Sequence, residues 1–192
     1  MTMRTPLRIL ALGALLAGSG LMAQEAQKTW TAGASLTAAL DGLKEVTHKT
    51  NGFVVDFGYN GHLGNSAVPF RASLGYQNFP GTANAAGLKQ SLTSIQLAGD
   101  LFIASPWKNL QFITGLSVNK YKVKSESATV NTTDSAKGPK FGARLGLEYQ
   151  FTPAWSAQLL IQMTELGTNA PKPFATTGVN PSWFQAGVKY SF

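Results

Sequence analysis

Eight stretches of the chain alternate between apolar and polar positions with the two-residue period of a strand. They run Lys28 to Leu40, Gly52 to Asn60, Ala67 to Asn78, Leu92 to Ile103, Asn109 to Tyr121, Lys140 to Phe151, Trp155 to Leu166 and Trp183 to Phe192. One parity carries the bulky apolar side chains, such as Phe53, Val55, Phe57 and Tyr59 in the second stretch and Leu145, Leu147 and Tyr149 in the sixth. The opposite parity carries small and polar ones, such as Thr31, Gly33, Ser35 and Thr37, or Arg71, Ser73, Gly75 and Gln77. Val54, Phe102, Ile113 and Leu160 break the polar parity and Thr114 the apolar one, which points to a local bulge or a shifted boundary there.

The connections have a rhythm of their own. Long gaps, Asp41 to Asn51, Phe79 to Ser91, Lys122 to Pro139 and Gly167 to Ser182, alternate with short ones, Gly61 to Ser66, Ala104 to Lys108 and Thr152 to Ala154. Glycine and proline punctuate the short gaps as turn formers. Strands joined this way form an up-and-down meander with all its short turns at one end, and an even strand count brings the last strand back beside the first. Trp30, Tyr59, Phe70, Trp107, Phe151, Trp155 and Phe192 then fall near the short-turn rim, and Phe53, Tyr76, Phe141 and Phe184 near the other. Two aromatic girdles about an apolar band are the signature of a strand-built membrane span. A soluble up-and-down barrel needs the reverse arrangement, with bulky apolar residues inside and polar ones outside. The predicted fold is therefore all-β: an eight-stranded antiparallel up-and-down transmembrane β-barrel.

The first residues do something else. Arg4 and Arg8 precede the apolar run Ile9 to Ala17, which is followed by small residues and a cleavage position after Ala23. This is the tripartite pattern of a secretory signal peptide, too short to span a bilayer as a helix. It divides the chain into a leader, 1–23, and one barrel domain, 24–192. Of the 192 residues none is cysteine, so neither a disulfide nor a lipid-bearing cysteine is available. The formal net charge of +7 includes two arginines of the leader, and only 13% of residues are charged. Sparse charge with abundant glycine, serine, threonine and glutamine suits a lumen and loops better than the shell of a soluble globule.

The chain ends on the strand Trp183 to Phe192 with an aromatic residue at its terminus. Gln185, Gly187, Tyr190 and Phe192 resemble the C-terminal signal of bacterial outer-membrane β-barrel proteins, which the barrel-assembly machinery reads during insertion. With that motif the whole region after the leader resembles the small-barrel family typified by the OmpA transmembrane domain, OmpX and OmpW. The resemblance implies outer-membrane localisation, contact with membrane lipid and lipopolysaccharide, and no nucleic-acid partner. A closed barrel needs no partner chain, so a monomer suffices and the oligomeric state stays open.

The polar parity holds three acids and three bases: Asp56, Asp100 and Glu148 against Arg71, Arg144 and Lys189. Unpaired charge in a narrow lumen is costly, so these six are expected to form an ion-pair network that seals the pore. Asp56 and Arg71 lie at mirror positions about the turn Gly61 to Ser66 and are expected to face each other across the hairpin. In the third long loop Lys120, Lys122 and Lys124 alternate, with Lys137 and Lys140 beyond, a basic set suited to lipopolysaccharide phosphates. Some barrel enzymes of the outer membrane place a histidine beside serine or aspartate near the outer rim. Here the only histidines are His48, in a long loop without a His-x-Ser arrangement, and His62, in a short turn. No catalytic residue, metal site or cofactor is expected. Two functions follow: a sealed structural or surface-interaction protein presenting four loops, and, as the alternative, a narrow channel or OmpW-like conduit for small solutes.

Overall fold

The computed structural model describes residues 29–49, 51–64, 68–136, 138–165 and 180–192. The expected leader, 1–23, lies outside the described residues, as do Lys137 and most of the last long loop. The elements in order are β1 (Thr29–Ala39), α1 (Asp41–Thr47), β2 (Asn51–His62), β3 (Pro69–Phe79), β4 (Lys89–Ala104), β5 (Leu110–Glu126), β6 (Asn131–Ser135), β7 (Lys140–Gln150), β8 (Trp155–Glu165) and β9 (Ser182–Ser191). All pairings are antiparallel, and β1 pairs with β2 on one side and β9 on the other, so eight strands close on themselves. The ninth, β6, pairs only with the far end of β5, from Lys122↔Ser135 to Glu126↔Asn131, and stands above the barrel as a hairpin. Both β6 and α1 lie inside expected long gaps. The long β5 also overran its expected end at Tyr121, because Lys122 to Glu126 pair with β4 below and β6 beside them.

Closure turns the alternation into an inside and an outside. Outward residues are apolar and exposed: Leu36, Leu116 and Phe141 keep 76%, 70% and 68% of their surface open. A continuous band of such side chains is untenable in water and correct in lipid. Inward residues are buried although many are polar, among them Gln77, Gln96, Asn119, Gln158, Gln162 and Gln185. Each of the eight barrel strands pairs with a neighbour on both sides, which removes the open edge that hydrocarbon does not tolerate.

The expected bulge is absent. The β4–β5 register runs without interruption from Lys89↔Glu126 to Ala104↔Gln111, through Phe102↔Ile113 and Leu101↔Thr114. Val54, Phe102, Ile113 and Leu160 point inward and are buried. Their hydrophobicity reflects what they touch inside, since Phe102, Ile113 and Leu160 form one apolar cluster.

At the short-turn rim, the aromatic side chains concentrate where the barrel closes. Trp155 lies 4.9 Å from Tyr190, Tyr190 6.0 Å from Phe192, Phe192 6.2 Å from Phe57, and Phe57 5.2 Å from Trp30 between ring centroids. Main-chain bonds run both ways between Trp30 and Phe192, at 3.0 and 2.9 Å. The terminal phenylalanine is thereby built into the seam by backbone and ring alike.

Candidate functional site

The lumen is where the chain concentrates its buried polar chemistry. Arg71, on β3, grips Glu148, on β7, in a two-pronged pair with both contacts at 2.8 Å. Its Nε donates to Asn60 Oδ1 at 2.9 Å, and its guanidinium lies 4.8 Å over the Phe102 ring. Glu148 also accepts from Ser156 Oγ at 2.9 Å and Gln158 Nε2 at 3.5 Å. Forked pairing of this kind satisfies both partners and fixes their geometry. Beside it Lys189, on β9, pairs with Asp56, on β2. The space for that pair comes from Gly33, where a Cβ would sit 2.8 Å from Asp56 Oδ2 and 2.9 Å from Lys189 Nζ.

The second arginine builds a wider layer. Arg144 donates to Asp100 at 2.8 and 3.1 Å and to Gln96 Oε1 at 3.0 Å. Gln162 joins through its Oε1, which accepts from Gln96 at 2.6 Å, and through its Nε2, which donates to Ser117 at 3.1 Å and Asn119 at 3.2 Å. The Phe102–Ile113–Leu160 cluster is continuous with both arginine systems: Phe102 sits under Arg71, and Ile113 lies one inward position from Gly115, which pairs with Arg144. The hydrogen bonds of the Arg144 layer join inward side chains of β4, β5, β7 and β8.

The six charged residues meet in partnerships that differ from the expected hairpin pair. The register sets Arg71 opposite Asn60 and Asp100, and Asp56 opposite Gly75, so Asp56 and Arg71 are not cross-strand neighbours. The reason is the length of the strands. β2 continues to His62, β3 begins at Pro69, and Leu63 N–H bonds Val68 C=O at 3.1 Å, which moves the mirror point two residues along the chain. The neutral partners Asn60, Gln96, Ser117, Asn119, Ser156, Gln158 and Gln162 extend the site beyond the six. Inward parity marks most of them in the sequence, but partner choice across a lumen depends on barrel stagger, which no local pattern encodes.

The other candidates separate by face. Gln185 is buried and donates to Ser35 Oγ at 3.0 Å, Gly187 packs against Ser35, and Tyr190 and Phe192 face outward on the seam. Lys120, Lys122 and Lys124 are exposed along the outer face of β5, and Lys124 bonds Glu126 at 2.5 Å. That hydrogen bond, reinforced by the lysine charge, holds the Glu126 carboxyl below its ordinary range. Lys140 does not belong to this set: it begins β7 with inward parity and is 8% exposed, which turns it away from any membrane phosphate. His48 is exposed at the C-terminus of α1 and His62 ends β2. Among the described residues no group of three or more His, Cys, Asp or Glu is placed to hold a metal ion.

An apolar exterior, a charge-paired interior and full strand closure define a transmembrane β-barrel. The chain matches the family model described as "Outer membrane protein beta-barrel domain" over residues 9–192 and belongs to that family. Comparison with curated proteins gave no match. Among solved structures the fold is similar to Neisserial surface protein A, at TM-score 0.60 and 15% identity, covering 85% of this chain and 96% of that one. It is similar also to Ail, the attachment invasion locus protein of Yersinia pestis, at TM-score 0.59 and 12% identity, with 88% and 100% covered. The N-terminal β-barrel domain of Pseudomonas aeruginosa OprF gives 0.57 and 13%, with 86% and 98% covered. At these identities the likeness is one of fold.

Proposed function

We propose that the protein resides in the bacterial outer membrane as a sealed barrel with a structural or surface-interaction role, acting through its long loops and outer face rather than through its lumen. The observation that carries this reading is the pairing of the six charges expected in the lumen, Arg71 with Glu148, Arg144 with Asp100 and Lys189 with Asp56. A conduction path needs sites that an ion or solute can enter and leave. Here the charged groups are committed to one another and buttressed by neutral hydrogen bonds. The refolded chain in a planar bilayer is expected to pass no discrete current steps, once a heat-sensitive gel shift has shown that it is folded. Regular openings in the wild type would overturn the reading in favour of a channel.

The outer face of β5 suggests what the protein meets. Lys120, Lys122 and Lys124 continue the outward parity of Leu116 and Val118 toward the long-loop end of β5, which supports a meeting with headgroup phosphates there. Lipopolysaccharide supplies such phosphates, and attraction between exposed charges weakens as salt is raised. Binding of purified lipopolysaccharide is expected to fall with salt and to be largely lost when all three lysines become glutamine. Binding that ignores both changes would reduce the lysines to solubilising an exposed hairpin. In assembly, Gln185, Gly187, Tyr190 and Phe192 serve as the segment that the insertion machinery recognises.

A further inference from the structure

The first long loop carries a feature that sealing by ion pairs does not require. α1 is a seven-residue helix, its N-cap residue Leu40 makes no side-chain cap, and a helix so short does not hold itself together in water. It persists here because Leu43 and Val46, three residues apart and so on one helical face, are buried at 0% and 4% exposure. They enter an apolar cluster with Phe79, Leu92, Tyr121 and Trp183, from strand ends at the long-loop mouth of the barrel. Few tethers hold the helix from outside: Leu40 N–H to Ser182 C=O at 2.9 Å before it, and Thr82 N–H to Thr47 C=O at 3.0 Å after it.

The same region contains groups that gain nothing from being covered. Thr37 Oγ1, Gln77 Nε2 and Trp183 Nε1 are buried and make no hydrogen bond. All three sit on inward positions near the mouth: Thr37 pairs in register with Gly52 and Gln185, Gln77 with Ser94, and Trp183 with Ala39. Apolar contacts of Leu43 and Val46 favour the docked helix, while burial of unpartnered polar groups opposes it. The ends of the helix suit a hinge. Leu40 is extended, and His48 takes φ 50 in the left-handed region, a conformation that a residue with a side chain adopts at a cost.

We propose that α1 is a lid, hinged at Leu40 and His48, that closes a polar vestibule at the long-loop mouth. The floor of the vestibule is the layer made by Arg144, Asp100, Gln96 and Gln162, which stays shut when the lid opens. The lid therefore controls access to the upper lumen without making the barrel conduct. This goes beyond the sealed-barrel reading and fails independently of it, since current tests the floor and accessibility tests the lid.

The chain has no cysteine, so a single introduced thiol reports its own accessibility. Ser94→Cys places one in the vestibule wall, where Ser94 is 2% exposed, and Ile113→Cys places one below the floor, where Ile113 is 2% exposed. Each is treated with a small charged methanethiosulfonate reagent in folded, vesicle-reconstituted protein. With the native lid, Ser94→Cys is expected to label slowly. Adding Leu43→Asn and Val46→Asn should speed its labelling by about tenfold or more, because the apolar contacts that hold the lid are gone. Ile113→Cys should remain unlabelled in both backgrounds. Equal Ser94→Cys rates with native and altered lids, or fast labelling under the native lid, would overturn the proposal. If the double lid variant gives no folded band, Val46→Ala alone makes the same test, with a smaller rise expected and an unchanged rate again counting against the lid.

Discussion

Arg71→Ala is expected to destabilise the folded barrel by about 3–5 kcal/mol, the usual consequence of removing one partner from a buried ion pair. The loss follows from what Glu148 retains. Both its oxygens now receive guanidinium N–H groups at 2.8 Å, and afterwards only Ser156 and Gln158 remain to satisfy a buried carboxylate. Asn60 Oδ1 loses the hydrogen bond from Arg71 Nε as well, and Phe102 loses the planar cation stacked on it. Equilibrium unfolding in urea, with the folded fraction followed by gel shift, measures the difference as a lower midpoint at unchanged slope. The double variant Arg71→Ala, Glu148→Ala should recover part of the loss, since it leaves no isolated charge behind. A single variant as stable as the wild type would mean that the network merely fills space. Current is the weaker readout for this substitution, because Arg144 stays paired with Asp100 across Gly115.

The contrast between this pair and the expected Asp56–Arg71 pair marks how far the sequence can be read. Alternation alone assigns Asp56, Arg71, Asp100, Arg144, Glu148 and Lys189 to one face, because parity is local and survives any error in strand length. Partnership is different. It depends on where each hairpin turns and on the stagger accumulated around the closed sheet, so an extension of β2 to His62 was enough to give Arg71 another neighbour. The apolar inward residues were misleading for a related reason: Phe102, Ile113 and Leu160 come from three strands, and only closure brings them together. The helix α1 left a faint trace, Leu43 and Val46 at helical spacing within an otherwise polar loop, but its support comes from Phe79, Leu92, Tyr121 and Trp183, all distant in sequence. Lys140 and Lys124 belong to the same basic run and are separated only by the fold, which buries one and exposes the other.

Gly187 carries the second large expectation, and it separates a steric role from a recognition role. A Cβ at Gly187 would sit 2.0 Å from Ser35 Oγ, 2.4 Å from Ala34 O and 2.5 Å from Ser35 Cβ. Backbone cannot yield as a flexible side chain does, and the strands involved are β9 and β1, whose pairing closes the barrel. Gly187→Ala is therefore expected to prevent or severely impair refolding into detergent micelles, beyond the roughly 1–3 kcal/mol typical of overpacking. Gly75 provides the comparison, since it too faces the lumen, yet a Cβ there meets nothing nearer than 3.6 Å. Gly75→Ala should fold with a stability within about 1 kcal/mol of wild type, as substitutions without a named defect do. Combining Gly187→Ala with Ser35→Gly removes the two contacts with the Ser35 side chain and leaves the one with Ala34 O, so partial recovery is expected. Refolding in micelles involves no assembly machinery, and a defect there that Ser35→Gly relieves belongs to the closed barrel itself. Should Gly187→Ala instead refold normally in micelles and fail only in cells, the glycine at this position would serve recognition during insertion, and the close approach to Ser35 would be one the strands can relax.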